Sequence, residues 1–180
     1  NTGVTLSAGL SFKWFRENFG DGQSYDELVH EAAKIPSGSE GLIWLPYLMG
    51  ERTPHLDANA RGAFIGVTAS HTKAHFTRAV LEGVAFSLRD SLEISSVRLG
   101  GGGAKSPLWR QIQADVYGKP VETIEVDEGA AFGAAILAGV GSGAWKSVEE
   151  ACFNTIRVAE TIEPNVKSVE VLNRNYESYK

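Results

Sequence analysis

The stretch "VRLGGGGAKSPLWRQIQADVYG", Val97 to Gly118, decides how the chain is read. A short β-branched and apolar run meets four consecutive glycines, then Ser106-Pro107, then an amphipathic segment. Serine is a favoured helix N-cap, and proline suits the first helical position because its absent N–H would have no intrahelical partner there. The spacing therefore predicts a helix from Pro107 to about Tyr117, stopped by Gly118, with Leu108, Trp109, Ile112 and Val116 facing the core. The glycines then lie between the carboxyl end of a strand and a helix N-terminus. In open α/β sheets ligands bind at that place, where free N–H groups and the helix dipole favour an anion. Without side chains, a phosphate or a flat base can rest directly on the main chain. A tight strand-to-helix turn is the alternative. Lys105 is either a phosphate partner or a solvated loop lysine. The run is not a Walker A loop, and Pro107 stands where the last glycine of GxGxxG would be.

Around this stretch the sequence reads as mixed α/β. "TLSAGLSFKWFREN" sets Leu6, Leu10, Trp14 and Phe15 near one helical face, with Thr5 as candidate cap. Ser24 and Glu27 are spaced as a capping box, and Leu28, Ala32 and Ile35 form the buried side of the helix they open. "LIWLPYL" reads as a buried strand that leaves its sheet near Pro46, and "AFIGV" as a second short strand. The long periodic segment from Ser70 carries Phe76, Ala79, Val80, Gly83, Val84 and Leu88 on one stripe. It ends near Ile94, leaving almost no room to turn before Val97. "VETIEV" alternates as a half-buried strand, "GAAFGAAILAGVGSG" is a small-residue helix, and Ser147 and Glu150 mark a further capping box.

Composition bounds the function. One hundred and eighty residues can bury a core. A net charge of −5 without a basic cluster argues against nucleic acid or an anionic membrane as partner. The single Cys152 excludes an internal disulfide and points to a reducing, cytoplasmic setting; on its apolar segment it reads as a small core residue. Neither a secretory leader nor an apolar run of membrane-spanning length is visible.

Two further stretches carry a resemblance. In "GAFIGVTASHTKAHFTRAVLEG", Gly62, Phe64, Gly66 and Val67 come first, seven residues intervene, and His75, Phe76, Ala79, Val80, Leu81 and Glu82 follow. This pattern resembles the second signature of the FGGY carbohydrate kinases. "LPYLMGERTPHLDANARG", "GGGAKSPLWRQIQADVYGKPV" and "EGAAFGAAILAGVG" are similar to the xylulokinase branch of that family, over about Leu6 to Phe153. The resemblance implies an RNase H-like (actin-like ATPase) fold, with a mixed central sheet flanked by helices. It implies transfer of the γ-phosphoryl of MgATP to a ketopentose hydroxyl in a cleft between two domains, so ATP and Mg²⁺ are the implied cofactors. Residues 1–180 correspond to the second, nucleotide-binding domain. The catalytic aspartate is implied upstream of "VTLSAGL", and the sugar would be held through a first domain; the 180 residues alone are expected not to turn over. Gly101, Gly102, Gly103 and Ala104 are implied to line the nucleotide, Ser106 and Pro107 to open the neighbouring helix, and Gly133 to border the adenosine pocket.

Opening on Asn1 rather than Met, the chain reads as processed, truncated or incomplete. Another sugar or polyol of the family (gluconate, ribulose, glycerol) is the alternative substrate. A stand-alone, non-catalytic actin-like module is the alternative role.

Other polar groups are weighed against bland roles. Glu51 and Arg52 either face the cleft or form an ion pair pinning a long loop; Asp57 and Arg61 read as loop-internal partners. His71 and His75 share metal-compatible spacing without a third ligand, so no metal site is assigned, and His75 reads as a local hydrogen-bonding group. His30 and His55 read as surface residues. Asp127 and Glu128 suit the N-terminus of the small-residue helix, with a water-mediated Mg²⁺ role as the alternative. Gly129 to Ala135 read as allowing close helix–sheet packing. Trp14, Trp44, Trp109 and Trp145 are scattered singly and read as anchors. Surface left open by the first domain points to homodimerisation.

Overall fold

The computed structural model describes residues 5–91, 97–125 and 129–180. The chain order is α1 (Ala8–Phe19), α2 (Tyr25–Ala32), β1 (Ile43–Leu45), β2 (Ala63–Ile65), α3 (Lys73–Ser91), β3 (Val97–Leu99), α4 (Gly102–Lys105), α5 (Pro107–Tyr117), β4 (Val121–Ile124), α6 (Gly129–Gly141), α7 (Val148–Thr155), β5 (Val158–Ile162) and α8 (Val166–Tyr179). β1 and β2 pair antiparallel, Trp44 opposite Phe64. β3 runs parallel to β4, and β5 closes the far side of β4 antiparallel, so the second sheet is mixed, in the order β3-β4-β5. The sequence gives no signal for β5, because four of its five residues are exposed and no alternation marks a buried face.

Helix α3 is the hub. Val80, Leu81, Val84, Ala85 and Phe86 are buried on it, and α1, α2, β1, α5 and α8 pack around it. A Cβ on Gly83 would lie 2.2 Å from the Trp44 carbonyl oxygen, so a bare glycine lets α3 approach β1 this closely. The local signals hold where expected. Ser24 and Glu27 form a full capping box. The chain leaves β1 just before Pro46. Ser106 caps α5, and Gly118 ends it in the left-handed region at φ 61°.

Several expectations need correction. Ser7, not Thr5, is the α1 N-cap. Leu6 and Leu10 are 40% and 39% exposed, because α3 packs on the adjacent stripe of Ser11, Phe12 and Phe15. On α7, Ser147 accepts the Glu150 N–H, but the Glu150 carboxylate reaches the Lys146 N–H, outside a reciprocal box. The small-residue stretch of α6 does not pack tightly on a sheet: Ala130, Ala131, Ala134 and Ala135 are exposed. Its close approach is at Gly139, against the Trp145 ring. Trp14 and Trp44, far apart in sequence, stack at 5.5 Å. Cys152 is half-buried rather than a core residue. The narrow junction between Ile94 and Val97 falls outside the described residues.

The C-terminal helix is fastened by tyrosines. The Tyr176 hydroxyl donates to Asp90 at 2.9 Å, and the Tyr47 and Tyr179 hydroxyls pair at 2.8 Å. Burial pushes all three phenols up, Tyr176 to about 12. Because these folded values exceed the unfolded value of about 10, the stabilisation is complete below that pH. It is lost as pH rises through about 12, where Tyr176 ionises. Thermal melting followed by circular dichroism is expected to fall steeply over that alkaline window. Tyr179→Phe is expected to flatten the dependence and to lose about 0.5–1.5 kcal/mol at neutral pH. A pH profile identical to that of the parent chain would exclude this account of the alkaline loss.

Candidate nucleotide site

A cavity of about 810 Å³ opens between the α1–α2 pair and the β3–α4–α5 turn. That volume lies within the range of small-molecule sites, roughly 300–1,000 Å³. Its floor is the segment that follows β3. Gly101 turns the chain at φ 71°, and the Ala104 N–H closes back on the Gly101 carbonyl at 3.1 Å. The glycine segment is therefore a tight turn leading into one short helical turn, α4, and not an extended loop. A Cβ on Gly102 would meet nothing within 4 Å, whereas one on Gly103 would lie 3.3 Å from the Trp109 ring. Gly102 thus presents bare main chain to open space, and the indole closes the floor behind Gly103.

Of the residues singled out in the sequence, Gly102, Gly103, Ala104, Ser106 and Pro107 line this cavity together with Lys105. Gly101 and Gly133 do not. Gly101 shapes the turn from behind, and Gly133 sits half-buried on α6, where an added Cβ would meet open space. The Ser106 hydroxyl oxygen accepts the Trp109 N–H at 3.3 Å, so it caps α5.

The opposite wall has no counterpart among the singled-out residues, apart from His30. Ala8, Gly9 and Phe12 of α1 contribute, as do Tyr25, Asp26, Val29, His30 and Ala33 around α2. The signal for α2 was present: once Leu28 and Ala32 point inward, residues 26, 29, 30 and 33 form the neighbouring stripe at i, i+3, i+4 and i+7. His30 is exposed as expected, and it also lines the cavity.

The remaining candidates lie elsewhere. Glu51 is only 3% exposed; its carboxylate accepts the N–H of Arg52 at 2.6 Å, and its own N–H donates to the Asp57 carbonyl. It pins the loop through main chain, not through an Arg52 ion pair. Asp57 and Arg61 likewise bind loop main chain, at Asn59 and at Ala58 and Ala60, and not each other. The His71 and His75 Nδ1 atoms accept the N–H groups of Thr68 and Thr72, as local helix-start contacts. His55 is exposed and meets the Tyr47 hydroxyl. Asp127 and Glu128 lie outside the described residues. Among the described residues no three His, Cys, Asp or Glu side chains converge as a metal site, and no helix is long and apolar enough to cross a membrane.

A profile of the C-terminal domain of the FGGY family of carbohydrate kinases matches residues 2–142. The chain is 43% identical over 185 residues to the xylulose kinase of Staphylococcus epidermidis, covering 98% of this chain and 37% of that protein. Two solved structures from Lactobacillus acidophilus, a ligand-bound xylulose kinase and a gluconate kinase, each superpose with a TM-score of 0.90 at 31% identity, over 98% of this chain and 38% of theirs. The chain thus spans well under half the length of the relatives it matches.

Proposed function

The chain belongs to the FGGY family of carbohydrate kinases, and from that premise we propose that it is the nucleotide-binding part of a kinase that moves the γ-phosphoryl of MgATP to D-xylulose. The observation that carries this reading is the cavity, with its bare glycine floor after β3 and its uncharged surface of Gly102, Gly103, Ala104 and Trp109. A purine base stacks on such a floor without displacing a side chain. Mg²⁺ would be held through the nucleotide's own phosphates, which suits a cavity whose polar wall holds a single carboxylate, Asp26, and would there supply neutralisation of charge on the transferred phosphoryl group. The chain's own residues hold and orient the adenosine end and exclude water from beneath it. The proton acceptor for the sugar hydroxyl and most sugar contacts belong to portions of the longer kinase beyond these residues.

Gluconate is the second substrate reading, favoured by the equal superposition on a gluconate kinase. A panel of sugars offered to the longer kinase separates the two: phosphorylation of xylulose and not gluconate is expected. For the 180 residues themselves, calorimetric titration with ADP is expected to give saturable binding in the micromolar-to-millimolar range. No heat of binding at several millimolar ADP, from a chain with an intact circular dichroism spectrum, would remove the nucleotide assignment.

A further inference from the structure

We propose that Asp26 recognises the ribose of the bound nucleotide, accepting its 2′ and 3′ hydroxyls on one carboxylate. This rests on the reading of the cavity as a nucleotide site. The two sides of the cavity differ in chemistry. The floor offers main chain, the Ala104 methyl, the Trp109 ring and, at its α4 end, the Lys105 cation. The facing stripe of α2 offers Asp26 and, one helical turn on, His30. Neither of these side chains makes a hydrogen bond or ion pair with a described residue. Their neighbour Glu27, by contrast, is fully engaged with the Ser24 N–H and hydroxyl, so capping of α2 does not require Asp26. The start of α2 is also held in place. The Tyr25 ring packs 5.1 Å from Phe12, and the Arg16 guanidinium sits 4.1 Å over it from outside the cavity.

An aspartate on this wall sorts the parts of a nucleotide by charge. The polyphosphate is repelled from a carboxylate, so the neutral half of the molecule must lie beside Asp26. With the base on the glycine floor, the next neutral group is the ribose. A carboxylate is acceptor-only and takes two donors side by side, which a vicinal diol supplies. Acidic residues recognise ribose hydroxyls for the same reason in dinucleotide sites.

The test compares ADP with 2′-deoxy-ADP by calorimetry on the parent chain, Asp26→Asn and Asp26→Ala. The parent is expected to prefer ADP by about ten- to a hundredfold, the scale of hydrogen bonds to a charged group. Asp26→Ala is expected to weaken ADP, which loses two hydrogen bonds, more than 2′-deoxy-ADP, which loses only that of its 3′ hydroxyl, so the ratio falls toward one; Asp26→Asn is expected to fall between. A merely structural first-turn acid would lower thermal stability and weaken both ligands equally. An unchanged ratio in Asp26→Ala, or no preference in the parent, overturns the ribose assignment while leaving the nucleotide site standing. Failure of ADP to bind the parent overturns both.

Discussion

Glu82→Ala is expected to lose about 3–5 kcal/mol of folding stability, the scale for removing one partner of a buried ion pair. Both side chains of the Arg78–Glu82 pair are nearly inaccessible, at 7% and 2% exposure, and the Arg78 Nε donates to Glu82 at 2.7 Å. Burial pushes the Glu82 carboxyl above its ordinary range, and the Arg78 guanidinium with the Gly38 N–H and Ser39 hydroxyl pulls against that. Removing the carboxylate leaves a buried guanidinium without a counter-charge. It also orphans the Gly38 N–H and the Ser39 hydroxyl, each bonded to Glu82 at 3.0 Å. Those two contacts hold a loop that runs through four successive left-handed residues, Gly38 to Gly41, two of them not glycine. Arg78 fastens the same loop through the Ile35 carbonyl and the Ser37 hydroxyl. Glu82→Gln keeps the shape and most donors' partners but not the charge, and is expected to lose less. The double variant Arg78→Leu/Glu82→Leu is expected to recover part of the alanine loss, because no unpaired charge remains while the loop donors stay unsatisfied. Urea unfolding midpoints and slopes measure all three. A Glu82→Ala loss below about 1 kcal/mol would mean that water reaches Arg78 and that the pair is not buried in solution.

This pair also shows where the sequence stops being legible. Glu82 matches a family signature, but its partner Gly38 lies 44 residues away, and no local pattern announces the contact. What was legible was local chemistry: Ser24 with Glu27, Ser106 with Pro107, Pro46 after a strand, Gly118 after a helix. Each of these is fixed within a few residues, by local hydrogen bonds at Ser24, Ser106 and Gly118 and by the missing N–H of proline at Pro46 and Pro107. What was illegible depended on which helix stripe meets a distant neighbour. Of Leu6, Leu10, Trp14 and Phe15, expected on one face, Phe15 is buried as expected, but Leu6 and Leu10 are exposed because α3 packs on the stripe of Ser11, Phe12 and Phe15. The same limit governs the cavity. Its floor is contiguous in sequence, and so Gly102, Gly103, Ala104, Ser106 and Pro107 were found together. Its far wall arises only because α2 packs on α3, which brings Tyr25 and Asp26 across from residues some eighty positions later. Gly133 lies outside this cavity, on α6, which packs against α7.

Gly102→Val is expected to weaken ADP binding about 10- to 100-fold while leaving thermal stability within about 0.5 kcal/mol of the parent. The two halves of that expectation have separate causes. A Cβ at this position meets no atom within 4 Å and the backbone is not in the left-handed region, so the fold accommodates a side chain. The space that receives it is the cavity itself, directly above the floor formed by Gly103 and Trp109. A branched side chain there raises the floor by the thickness of the group that should rest on it, which overpacks the bound state alone. Gly103→Val provides the contrast: its Cβ sits 3.3 Å from the Trp109 ring, so it must displace the indole, and stability and affinity should fall together. Gly118→Val strains a left-handed C-cap outside the cavity and should lower stability with little effect on the affinity of the folded fraction. Calorimetry with ADP beside thermal melting reads all of these. If Gly102→Val folds normally and binds ADP as the parent does, the turn after β3 is a chain reversal only, and the nucleotide must be sought elsewhere on the domain.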